Sequence, residues 1–155
     1  MEPSIESPIV IPGETPLESI SAQEIEHALC QEYRQYLTGH LTREQKHLHH
    51  VDDDIEIGIS HYREFTADTP HKHPVATEHG YVLQGHLRIR LLDGSGQEME
   101  FGAGDFFVLR PGVGYATKNA PDTRIFFIKS PGINDKTTVE IDADTQHWLS
   151  AWDPE

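Results

Sequence analysis

The stretch from Pro70 to Gly85 reads Pro-His-Lys-His-Pro-Val-Ala-Thr-Glu-His-Gly-Tyr-Val-Leu-Gln-Gly. His71 and His73 are two residues apart, so in an extended chain both imidazoles point to the same face. Glu78 opens the next strand-like run and can return to that face after a short connection. Two imidazoles and one carboxylate on one side of a cation leave its remaining coordination positions open to water or substrate. This is a facial two-histidine, one-carboxylate arrangement, which suits Fe(II) and admits other divalent first-row metals. Pro70 and Pro74 stiffen the segment, which reduces the entropy lost when it is ordered. A His-x-His pair alone is a common surface feature. The glutamate at this distance, the apolar run after it and Gly85 favour the metal reading.

Such a triplet needs a rigid frame, and the chain supplies strands. From residue 53 the apolar period becomes two. Ile55, Ile57 and Ile59 alternate with Glu56, Gly58 and Ser60, and Leu87, Ile89 and Leu91 alternate with Arg88 and Arg90. Further short strands read at about 77–84, 97–101, 106–110, 115–119 and 123–129, with a weaker one at 137–141. Turn residues punctuate them at Asp93–Gly96, Gly102–Asp105, Pro111-Gly112 and Pro131-Gly132. Many short strands at this spacing predict an all-β sandwich or barrel over 53–130. Pro3, Pro8, Pro12, Gly13 and Pro16 make 1–20 an extended or disordered arm. Ser21 and Glu24 form a capping box, and Ile25, Ala28, Leu29, Tyr33, Tyr36 and Leu37 then recur at helical spacing. The pattern predicts one amphipathic helix over 21–39 that must pack on the barrel or on a partner chain. The tail, 131–155, is expected to add a strand and to pack Trp148 and Trp152 back on the body.

The motifs of 53–130 resemble those of the cupin superfamily. Its first motif runs His-x-His, three or four residues, Glu, six residues, Gly. His71, His73, Glu78 and Gly85 match it with gaps of four and six. Its second motif starts with Gly-Asp, passes through a short strand to Pro-Gly, and ends in histidine and then asparagine. Gly104-Asp105, Phe106 to Leu109, Pro111-Gly112 and Asn119 match it. The resemblance implies a jelly-roll barrel of six to eight strands. It also implies His71, His73 and Glu78 as ligands to one divalent transition metal: Fe, Mn, Ni or Zn. Tyr115 stands four before Asn119, where the family has its second-motif histidine. It can be a phenolate ligand, a hydrogen-bond or acid–base group facing substrate, or an aromatic that only packs.

Other residues read more plainly. His79 should face the opposite side of its strand from Glu78, His86 starts the next strand near the barrel mouth, and His47, His49 and His50 precede an acidic run as a solvated linker. Strand alternation puts Tyr115 and Thr117 on one face and Lys118 on the other, so Lys118 reads as a solvated lysine. Cys30 lies near the helix stripe and reads as core or interface.

Composition narrows the functions. The 155-residue chain carries 12 Lys and Arg against 26 Asp and Glu, a formal charge of −14. No basic footprint for nucleic acid or an anionic membrane is present. One cysteine permits no internal disulfide, and no apolar run is long enough to span a bilayer, so a reducing, cytoplasmic setting is expected. Three readings follow. The first is a metal-dependent enzyme acting on a small polar molecule, with oxygenase (oxidoreductase), isomerase, lyase and hydrolase chemistry all open. The second is a non-catalytic module that binds a small molecule or sugar. The third is an interaction module in which the helix and arm build a homodimer.

Overall fold

In the computed structural model, residues 17–41, 45 and 49–155 are described. The expected arm over 1–20 therefore falls almost wholly outside the described residues, as does His47. Helix α1, Ala22–Gln31, begins where the capping box places it. Glu24 N donates to Ser21 Oγ at 3.2 Å and Ser21 N donates to Glu24 Oε2 at 2.9 Å. The helix does not run to Gly39. It ends at Gln31, and Arg34–Thr38 is strand β1 instead, paired antiparallel with β2, Glu56–Tyr62. The apolar stripe is thus shared between two elements. Ala28 and Leu29 are buried from the helix, while Tyr36 and Leu37 sit on the strand. A continuous helix would leave the edge of β2 without backbone partners, and β1 supplies them. Burial of Ala28 and Leu29 within the chain also removes the helix-stripe argument for a dimer. Cys30 is exposed rather than core, and its Sγ accepts from Arg63 Nη2 at 3.3 Å.

Two sheets face each other. The first contains β1, β2, β10 (Thr123–Ser130), β5 (Thr77–Gln84) and β8 (Phe106–Leu109), in that spatial order. The second runs β11 (Thr137–Thr138), β4 (His71–Lys72), β9 (Tyr115–Asn119), β6 (His86–Leu91) and β7 (Glu98–Gly102), with β3 (Thr66–Ala67) also paired to β9. Every pairing between these strands is antiparallel. This is a jelly-roll barrel with two short helices added. Gly85, at φ +80°, turns the chain from β5 into β6, and a Cβ there would lie 2.4 Å from Thr123 Oγ1.

The interior is part core and part cavity. Tyr62, Val82, Leu87, Ile89, Leu109, Tyr115 and Ile125 form the buried cluster. On β2 the polar alternate, not the isoleucines, faces inward: Glu56, Ser60 and Tyr62 line a cavity of about 720 Å³. Ile57 and Ile59 lie half-buried on the outer face.

The outer face of the second sheet is covered by α2, Ala143–Trp148, and the residues after it. Lys118 points to that face, as alternation requires, but it is fully buried and not solvated. Its Nζ donates to the carbonyl oxygens of Trp148, Ala151 and Trp152 at 2.7, 3.0 and 2.9 Å, and lies 4.3 Å from the Trp148 ring centroid. Arg88 stacks over Trp152 and Arg90 over Trp148. Sequence alternation names the face correctly but cannot see that the tail covers it.

Candidate metal centre

His71 lies on β4 and His73 just beyond it, between Pro70 and Pro74. β4 pairs with β9 so that His71 stands opposite Tyr115. Glu78 comes from β5 in the other sheet and faces the same interior. The barrel therefore closes two sheets around one point. One side-chain ligand atom from each of His71, His73 and Glu78 lies within 4.8 Å of the others. Both histidines are buried, at 9% and 7% exposure.

The hydrogen bonds behind the histidines decide which nitrogens face inward. His71 Nδ1 is 2.7 Å from the carbonyl oxygen of Thr69, which can only accept, so Nδ1 carries the hydrogen. His73 Nδ1 donates to Asp135 Oδ1 at 2.8 Å. Asp135 also accepts from the backbone N–H of Val75 and Ala76 at 2.9 and 2.8 Å. Burial alone would push the Asp135 carboxyl up. The bonds from Ala76, Val75 and His73 outweigh it and hold the group below the usual carboxylate range. Each histidine thus turns Nε2 toward the interior, with its ring fixed by a backbone or carboxylate acceptor as metal-ligating histidines are. Burial lowers the His71 pKa, against the opposing Thr69 bond, and so favours the neutral imidazole that a metal requires.

Tyr115 completes the cluster. Its hydroxyl donates to Glu78 Oε2 at 2.6 Å and lies 2.9 Å from His71 Nε2. Burial, then the Glu78 charge, pushes the phenol far above its usual range, so it is protonated here. One phenolic proton faces two acceptors, with His73 Nε2 a further 3.6 Å from Glu78 Oε2. The converging lone pairs exceed the hydrogens available to them. A divalent cation fits that donor set: nitrogen and oxygen ligands, fixed tautomers and a carboxylate of opposite charge.

The structure brings together the four residues singled out from the sequence: His71, His73, Glu78 and Tyr115. The remaining histidines lie elsewhere. His79 is on the outer face, stacked on Phe106 at 6.1 Å between ring centroids. His86 is exposed beside Gly102, and His50 contacts Glu18. Sequence reasoning did not find Asp135, Asp68, Arg34 or Lys136. Asp135 and Lys136 sit in a loop with no local pattern that says it folds back on His73. Arg34 falls inside the segment that periodicity assigns to helix.

Residues 61–129 match the family model described as Cupin domain. No curated protein matches the chain in sequence. Among solved structures it is similar to KdgF from Halomonas sp., at 22% identity over 66% of this chain and 83% of that one, with a TM-score of 0.49. It is similar to an uncharacterized conserved protein with a double-stranded β-helix domain from Klebsiella pneumoniae subsp. pneumoniae MGH 78578. That match has 23% identity, covers 58% of this chain and 78% of the other, and has a TM-score of 0.50. It is also similar to oxalate decarboxylase from Bacillus subtilis, a protein with Mn(II) centres. There the identity is 16%, the coverage is 56% of this chain and 24% of that one, and the TM-score is 0.49. At 23% identity the likeness to the Klebsiella pneumoniae protein shows the fold alone.

Proposed function

We propose that this chain, whose residues 61–129 match the Cupin domain model, is a metal-dependent enzyme acting on a small polar molecule held in the barrel cavity. His71 Nε2, His73 Nε2 and the Glu78 carboxylate are the three protein ligands to one divalent transition metal: Fe, Mn, Ni or Zn. The observation that carries this reading is the pair of outward hydrogen bonds, His71 to Thr69 and His73 to Asp135, which point both Nε2 atoms at Glu78. A divalent metal bound there supplies Lewis-acid polarisation of an oxygen group or, if redox-active, activation of oxygen.

The chain's own residues do the rest. The walls of Phe107, Leu109 and Ile125 exclude bulk water from one side of the cavity. Tyr115 Oη holds a proton at the cavity edge, where it can give it to a substrate oxygen or donate a hydrogen bond. Its high pKa makes it a donor before it is a base. A homodimer in a reducing, cytoplasmic compartment, with no nucleic-acid or membrane partner, is part of the same proposal. No helix among the described residues is long and apolar enough to cross a membrane.

Chelation tests the reading. Stripping the metal should lower the melting temperature and abolish turnover, and adding back one divalent ion should restore both. Ligand affinity without turnover, before and after reloading, would favour a binding module instead.

A further inference from the structure

The cavity that holds the candidate metal centre also holds three interior cations, and two of them make no ion pair among the described residues. Lys129 Nζ pairs with Glu56 Oε1 at 3.2 Å. Arg34, from β1, has none: its Nε donates to Ser60 Oγ at 3.0 Å and its Nη2 to Tyr62 Oη at 2.8 Å. Its guanidinium makes no ion pair with a carboxylate among the described residues, although the Tyr36 hydroxyl is also within its hydrogen-bonding reach and the Asp68 charge acts on it. The guanidinium sits between Tyr33 and Phe127, at 5.2 and 5.6 Å from their ring centroids, which fixes its plane. Lys136 lines the same cavity and makes no hydrogen bond or ion pair among the described residues. Its ammonium is near enough to Arg34, Asp68, Glu78 and Lys129 to feel all four charges. Asp68 is engaged elsewhere, accepting from Tyr62 Oη and Thr117 Oγ1, each at 3.1 Å.

Unpaired cations facing a cavity, in a chain of formal charge −14, are costly unless something anionic meets them. We propose that the cavity binds a small organic carboxylate, with its carboxylate held by Lys136 Nζ and the Arg34 guanidinium and the rest of the molecule directed at the His71, His73 and Glu78 centre. The second half of this proposal rests on the metal reading above; the first half does not. A carboxylate fits better than a phosphate. The Arg34 guanidinium is already engaged by Ser60, Tyr62 and Tyr36, no glycine-rich loop of backbone N–H groups lines the cavity, and Asp68 and Glu56 nearby oppose a second negative charge. A volume of about 720 Å³ takes a ligand of this class whole.

The test is calorimetric titration of the full chain, metal-loaded and metal-stripped, with three probes: lactate, its neutral isostere lactamide, and inorganic phosphate. Lactate should bind at least about tenfold more tightly than lactamide or phosphate. Arg34→Gln and Lys136→Gln should each cut the lactate preference to within about twofold while leaving metal content unchanged. Lys136 lies in a loop, so its variant folds even if the Arg34 variant does not. Equal binding of lactate and lactamide, no lactate binding at all, or a preference for phosphate would overturn the proposal. Metal content is read on the same samples. A wild type that takes up no metal on loading yet still prefers lactate sinks the metal centre and keeps the carboxylate subsite. A metal-loaded wild type without the preference does the reverse.

Discussion

Tyr115 holds its single proton between Glu78 and His71, and this sets what its removal should do. As a proton or hydrogen-bond group it is not needed to hold a cation. Tyr115→Phe should keep the metal affinity within about threefold and lower turnover by about a hundredfold or more. If the phenolate is a ligand, the same variant should lose most of its metal by elemental analysis. Asp135 makes the complementary case. Among the described residues, its side-chain hydrogen-bond partners are His73 and the backbone N–H groups of Val75 and Ala76. Asp135→Asn keeps a side chain of the same size but weakens the hold on the His73 tautomer. Metal affinity by competition with a chelator should fall by about 10- to 100-fold with the fold intact. The residues that offer lone pairs were legible because their spacing is local: His71, His73 and Glu78 lie within eight residues. Asp135 was not, since it reaches His73 across 62 positions of chain.

At the scale of elements, strand boundaries follow the alternating pattern closely, because each strand must keep one face inward. The stretches read at 77–84, 115–119 and 123–129 became Thr77–Gln84, Tyr115–Asn119 and Thr123–Ser130. The helix did not follow its pattern. Tyr33 to Leu37 continue the helical spacing, but spacing cannot register that β2 has an open edge three positions of sheet away from β8. Pairing with that edge outweighed a few residues of helix propensity. Gly80 shows how tightly the elements are fitted. It lies opposite Phe107 on β8, and a Cβ on it would come within 2.1 Å of the Phe107 ring. Gly80→Ala should therefore destabilise the fold by about 1–3 kcal/mol, seen as a lower denaturant midpoint at unchanged slope. Because Glu78 is two residues away on the same face, metal affinity should fall with it.

For the whole molecule, the barrel has two unlike outer faces. That of the second sheet is closed by the tail, through Lys118, Arg88 and Arg90 on the two indoles. Lys118 donates to the carbonyl oxygen of Trp148 at the end of α2 and to those of Ala151 and Trp152 beyond it, so Lys118→Met should cost about 3 kcal/mol and expose the tail to proteolysis beyond residue 142. The barrel topology was legible from turn residues and the two motifs. The return of Trp148 and Trp152 to the body was legible as well, but which outer face they close was not, since it depends on where a distant segment lands. Closure of the two sheets around one point is what turns four scattered side chains into a site. The most direct test of that site is the metal content of untagged wild-type chain beside its His71→Ala variant. Wild type should carry about one equivalent of a divalent transition metal, and the folded variant about none. Less than about a tenth of an equivalent in wild type, with no thermal stabilisation by added Fe(II), Mn(II), Ni(II) or Zn(II), would contradict the account, as would full metal content in His71→Ala.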